Sequence, residues 1–263
     1  MNGSPARRSW TEAELLHEAV VVPRRAFVPL PDTIVVERPG WMQLITPSLP
    51  EAGLNEVSLA VLDDDVADAI LDATIAAYRD RGLRFRWTVG PDSRPRDLAA
   101  RLERRGFVPH TLVAVARSSD DVPWPCADVT VEAVIDDDVG EFTEVTAAGW
   151  RVDARPLEAL HRHFAVHGGG RLPMFVARVG GRAAGTAAYL AAERSAYLMG
   201  GVVLPEFRGR GVYRALVAAR LEHARCRGLA LATSQAREQT AYPILAGLGF
   251  RPVCRMVALT PPA

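Results

Sequence analysis

Several common signatures are missing from this chain of 263 residues. An excess of charge of one sign is lacking: Lys+Arg and Asp+Glu both total 31. No global field therefore draws the protein to nucleic acid or to an anionic membrane, and any anion site must be local. Long apolar runs are lacking too. The longest early one, Ala19 to Val22, is broken by Pro23 and falls far short of a signal core or a membrane span. The expected address is the cytoplasm. Cysteine is scarce: Cys126, Cys226 and Cys254 are widely separated, with neither metal-ligand spacing nor an even disulfide count, and are expected to be buried free thiols. What is present, 49% hydrophobic and 24% charged residues, is ordinary for a globular protein and ample for a core. The length admits one large domain or two compact ones.

A repeat argues for two. In its first copy, Val57–Leu62 reads as a strand, Val66–Arg81 as an amphipathic helix and Leu83–Val89 as a second strand. Pro95–Arg105 is a second helix, and Gly106-Phe107 leads into a strand over Thr111–Ala116. In the second copy the series is Tyr197–Leu204, Val212–Arg227, Leu229–Thr233, Thr240–Leu248, then Gly249-Phe250 and Arg255–Leu259. Junctions agree as well: Arg81-Gly82-Leu83 matches Arg227-Gly228-Leu229, and Gly106-Phe107-Val108-Pro109 matches Gly249-Phe250-Arg251-Pro252.

The segment between them, with Ser118-Ser119-Asp120-Asp121 and two prolines around Trp124, has the composition of a linker. The expected domains are 1–119 and 128–263, joined by a linker over 120–127. The second opens with a strand (Val129–Val134), a helix from about Asp138 to Trp150 with acidic residues suited to its N-cap, and a second helix (Pro156–His167) ended by Gly168-Gly169-Gly170. Two strands follow, Met174–Val179 and Arg182–Leu190, joined as a hairpin at Gly180-Gly181. The expected fold class is α/β (α+β): a mixed, mostly antiparallel sheet with helices on both faces.

Pattern and chemistry coincide in residues 200–216. An apolar strand runs into Pro205-Glu206-Phe207, then Arg208-Gly209-Arg210-Gly211-Val212-Tyr213, then a helix. Glycines at 209 and 211 permit positive φ, so successive N–H groups can converge on a pyrophosphate that the helix dipole already favours. Arg208 and Arg210 add a planar fork that phosphate can meet. A bare Gly-x-Gly also reads as a tight turn with solvated arginines. Rival phosphate motifs do not fit, since there is no Gly-Lys-Ser/Thr and no Gly-x-Gly-x-x-Gly.

The stretch resembles the acyl-CoA signature of the GNAT superfamily, Arg/Gln-x-x-Gly-x-Gly/Ala after a Val-x-Pro-Glu strand ending. Here Val203-Leu204-Pro205-Glu206-Phe207-Arg208 is followed by Gly211 in register, while Tyr213 stands where Gly or Ala is usual. The resemblance covers 128–263. It implies acetyl-CoA as co-substrate, with Val202 and Val203 giving backbone contacts and Arg208, Gly209, Arg210, Gly211, Val212 and Tyr213 forming the phosphate site. The first unit is similar to the second half of the same fold but has Asp63-Asp64-Asp65 where a phosphate loop belongs. Carboxylates repel pyrophosphate, so a degenerate unit without CoA is expected, in a tandem GNAT arrangement.

In the superfamily an amine attacks the thioester directly, helped by a base and by an acid for the thiolate. The usual acid, a Tyr four residues before the closing Gly-Phe, falls on Leu245. Tyr242, one helical turn earlier, and Ser234 are the candidates; a partly buried aromatic and a structural hydroxyl are the plainer readings. For the base, Glu193 and Glu144 remain, each equally a solvated carboxylate, and an ordered water can serve instead. Of His161, His163 and His167, only the last two stack on one helix face, which argues against a metal.

The function expected from the resemblance is acetyl transfer to a primary amine of a small molecule, by a monomer or homodimer without nucleic-acid or membrane partners. An acyl-CoA-binding regulatory module and an O-acyltransferase are the rivals.

Overall fold

The structure, a computed structural model, describes residues 9–25, 27–50, 54–120 and 128–262. The expected linker over 120–127, save Asp120, and Cys126 lie outside the described residues. The chain starts with a helical stretch: α1 (Glu12–Leu16), a π-helical turn (His17–Val21) and α2 (Val22–Arg24). Thr11 and Glu14 form a reciprocal capping box at its start. Next come β1 (Ile34–Arg38), β2 (Trp41–Ile45), β3 (Glu56–Ala60), α3 (Asp64–Arg79), β4 (Arg86–Val89), α4 (Leu98–Glu103) and β5 (Val108–Ser118). The second series is β6 (Val129–Ala133), α5 (Gly140–Trp150), α6 (Ala154–His167), β7 (Met174–Val179), β8 (Arg182–Ala191) and β9 (Ser195–Val203). A 3₁₀ turn (Pro205–Phe207), α7 (Val212–Cys226), β10 (Leu231–Arg237), α8 (Ala241–Gly247) and β11 (Arg251–Thr260) complete it.

Among the described residues all eleven strands join one sheet in the order β1-β2-β3-β4-β11-β5-β10-β9-β8-β7-β6. It is mixed and mostly antiparallel, the parallel pairs being β3 with β4 and β9 with β10. Both copies of the β-α-β-α-β repeat are present, but their closing strands are exchanged. Strand β11 pairs with β4 (Val257 opposite Val89), and β5 pairs with β10 (Ser234 opposite Val115). The two exchanged strands also pair with each other.

Strand alternation explains how this buries a core. On β5, Val113 and Val115 face α7 and α8 in one apolar cluster. Leu112 and Ala114 point to the opposite face, against Ala19 and Val20 of the π-helical turn and Met256 and Ala258 of β11. On β7, Phe175, Ala177 and Val179 join the α7 cluster, while Met174 and Val176 pack with Leu157, Leu160 and Phe164 of α6. Helices therefore cover both faces of this half. A third cluster, with Trp41, Tyr78, Trp87 and Leu102, sits under α3 and α4 and takes Leu259 from the exchanged β11.

Three local expectations are corrected. The N-cap of α5 is Val139, without a side-chain cap, because Asp136 takes up a left-handed turn just before it and Asp138 falls outside the cap position. The helix expected over Pro95–Arg105 is limited to α4, since Pro95 through Asp97 form a turn. Among the thiols, Cys226 is exposed at the last turn of α7, where it faces Glu222, and Cys254 is half-buried.

Candidate active site

Strands β9 and β10 pair only from Ser195–Leu231 to Tyr197–Thr233 and then part. The parting follows from a bulge: Thr186 opposes Val202 and Ala188 opposes Met199, so Gly200-Gly201 holds one residue more than β8 does. Beyond Tyr197, the β9 edge that faces β10 is left without a strand partner. At the far end of β9, Gly209 and Gly211 adopt φ of 75° and 79°, and Gly211 is the N-cap of α7. A left-handed N-cap without a side chain leaves the first-turn N–H groups of α7 facing outward, beside exposed Arg208 and Arg210. The Arg210 guanidinium lies 5.9 Å from the centre of the Phe207 ring. In the first half, by contrast, Asp63 stands at the N-cap of α3 without a side-chain cap, and Asp64 pairs with Arg101.

The cleft opens into a cavity of about 800 Å³ walled by both halves of the chain. The second half contributes Tyr197–Gly201, Tyr213, Arg220 and Ser234–Arg237, with Trp150 from the end of α5. The first half contributes Glu56, Ser58, Arg86 and Thr88 from β3 and β4, and Val20, Arg24 and Phe27 from the N-terminal stretch. Tyr213 lies against Gly201, where a Cβ would stand 2.8 Å from the edge of its ring. Only glycine admits that approach, so the aromatic at 213 and the glycine at 201 belong together. Behind them Arg220 is buried, donating to the carbonyls of Leu216, Ala188 and Met199. Burial drives its pKa down, with the neighbouring Tyr213 phenol acting the other way.

Across the cavity, Arg86 donates to Glu56 at 2.5 Å and Thr88 donates to the second Glu56 oxygen at 2.8 Å. The Glu56 charge raises the Arg86 pKa, against partial desolvation of the guanidinium. Tyr197 shares this environment: burial pushes its phenol up to about 12, Arg86 lowering and Glu56 raising it further. Arg24 is held bidentately by Asp92 at 2.6 Å.

The structure brings together some of the sequence candidates and leaves others apart. Arg208, Gly209, Arg210, Gly211, Val212 and Tyr213 form the turn and first residues of α7. Val202 and Val203 lie just before it, paired with Thr186 and Gly185. Ser234 lines the cavity, its hydroxyl donating to the Leu198 carbonyl at 2.9 Å. Tyr242 packs against the α7 core and is not among the cavity-lining residues. Leu245, at the position of the usual acid, is buried. Glu144 and Glu193 are exposed and outside the cavity wall. His161 accepts or donates to Thr143 at 2.8 Å in the α5–α6 packing, His163 contacts the Pro29 carbonyl, and no His/Cys/Asp/Glu group among the described residues is arranged to hold a metal. Sequence reasoning missed Glu56, Arg86, Tyr197 and Arg220. Charged residues inside otherwise apolar strand and helix patterns were the available signal.

Residues 133–250 match the acetyltransferase (GNAT) family. No curated protein matches the sequence. Over nearly the whole chain the fold is similar to solved structures of low identity. A GCN5-related N-acetyltransferase from Kribbella flavida is 18% identical with a TM-score of 0.66, over 94% of this chain and 95% of that one. A functionally unknown conserved protein from Staphylococcus epidermidis gives 12% and 0.67, over 90% and 98%. A tandem GNAT protein from the clavulanic acid biosynthesis pathway gives 20% and 0.58, over 92% and 86%. No helix among the described residues is long and apolar enough to cross a membrane.

Proposed function

We propose that the protein is an acyl-CoA-dependent N-acyltransferase that moves acetyl from acetyl-CoA to the primary amine of a small molecule. The observation that carries this reading is the parting of β9 from β10 directly before the glycine turn that opens α7. Pyrophosphate at the α7 N–H groups and Arg208 would leave the pantetheine arm to follow the open β9 edge into the cavity. The amine nitrogen then bonds to the acyl carbon, the C–S bond breaks, CoA leaves as the thiolate, and the ammonium proton passes to solvent or a side chain. Residues 1–119 act as a unit without a CoA loop that walls the acceptor side. Isothermal titration with CoA tests the reading, and a wild-type protein that does not bind CoA removes it.

A non-catalytic acyl-CoA-binding module is the second reading, favoured by buried Leu245 in place of a tyrosine. Thiol release from acetyl-CoA over an amine library separates the two.

A further inference from the structure

The chain contains no lysine, so every cation that its side chains offer a ligand, histidine aside, is a guanidinium. Five arginines line the cavity, namely Arg24, Arg84, Arg86, Arg220 and Arg237, against a single carboxylate, Glu56. Most are already engaged. Arg24 is clamped by Asp92, Arg84 donates to the carbonyls of Pro261 and Pro262, and Arg220 holds three backbone carbonyls. Arg86 is different. Only its Nη2 is used, on Glu56, and among the described residues Nε and Nη1 have no partner. Its side chain keeps 47% of its surface open although it projects into the cavity, whereas Glu56 keeps 17% and has both oxygens occupied.

The cavity thus presents a fixed guanidinium with two unspent nitrogens. Glu56, itself held by Thr88, anchors it through Nη2, so it is positioned before any ligand arrives. It lines the same cavity as Tyr197, the last residue of β9 still paired with β10, where the acyl cleft begins.

We propose that Arg86 is the specificity-determining residue for the acceptor, binding the carboxylate of an amine that also carries that group, an amino acid or a close analogue. The proposal rests on the acyltransferase reading above and names its substrate class. The carboxylate lies against Nε and Nη1 of Arg86 on the wall made by the first half. The amine points across the cavity to the open edge of β9. Cationic polyamines and decarboxylated amines lack the group that Arg86 requires and would bring a second positive charge, or none to offset the arginine excess.

The test compares free amino acids, including ω-amino acids, with their carboxamides and decarboxylated amines, in acetyl transfer and in titration onto the CoA complex. Wild type is expected to favour free acids by roughly tenfold or more in kcat/KM, as a charged, forked hydrogen bond implies. Arg86→Met should erase that preference mainly through KM, and Arg86→Lys should restore part of it. Because Arg86→Met strands the Glu56 charge, Arg86→Met with Glu56→Gln gives the same comparison without it. The CoA dissociation constant should be unchanged in all three. Free acids no better than their amides, a preference that survives loss of Arg86, or a CoA complex that binds none of the acids would each overturn the proposal. Loss of CoA binding in the wild type would instead sink the acyltransferase reading.

Discussion

The Ser234 hydroxyl donates to the Leu198 carbonyl at 2.9 Å, across the gap where β9 leaves β10. It is a side-chain tie between strands that no longer share a ladder, and its proton is already spent. Ser234→Ala should therefore cost about 1–3 kcal/mol in stability by stranding a buried carbonyl, with kcat within a few-fold of wild type. A kcat loss of about a hundredfold at unchanged melting temperature would make Ser234 the acid instead.

Tyr242 lies against the α7 core and outside the cavity wall. Tyr242→Phe is expected to leave both kcat and CoA affinity close to wild type. Steady-state kinetics decide: a general acid removed would lower kcat by about 10²–10⁴.

The two repeats should differ in what their first turns bind. Arg208→Ala is expected to weaken CoA binding by roughly 1–3 kcal/mol. Replacing Asp63, Asp64 and Asp65 by Ala should leave the affinity intact and lower the melting temperature, because Asp64 pairs with Arg101 and all three stand at the start of α3. Calorimetry on both variants reads this, and the reverse outcome would place the CoA site in the first half.

How much of this was legible beforehand varies with the physics involved. The repeat, the Gly180-Gly181 hairpin and the glycine turn at 208–211 were legible because they depend on local period and turn chemistry. The opening helix carries a local signal of the same kind, a capping box at Thr11 and Glu14. Strand exchange was not legible. Strands β5 and β11 have similar alternation, and either fits beside β4 or β10, so sequence pattern cannot tell the partners apart. Arg86 and Glu56 were hidden for a related reason: they become site residues only when the sheet sets β3 and β4 across from β9.

Acid sensitivity follows from His161. Burial pushes its imidazole down to about 4 from 6.5, against Thr143 and Phe142. The folded state keeps the ring neutral and the unfolded chain takes the proton more readily, so stability is full above pH 6.5 and falls as pH drops toward 4. The loss attributable to this ring is on the order of 3 kcal/mol. Thermal unfolding across that range should show the slope, and His161→Gln should flatten it.

A chain starting at residue 128 would lose β5, which pairs with both β10 and β11, and the N-terminal stretch whose Glu18 binds Arg194 and Ser195. It should show no cooperative unfolding transition by circular dichroism. A folded, monomeric fragment with normal CoA binding would show the first half to be dispensable.

Exchange of the closing strands also sets a timetable. During synthesis β4 emerges without its final neighbour, and it must wait for residues 251–260. At about 5–20 residues per second, that wait is on the order of ten seconds or more. Throughout it, β4 and β5 present bare ladder edges that invite pairing with any other nascent strand. The two repeats therefore mature together, when β11 threads between β4 and β5, and translation speed and chaperone supply become determinants of yield.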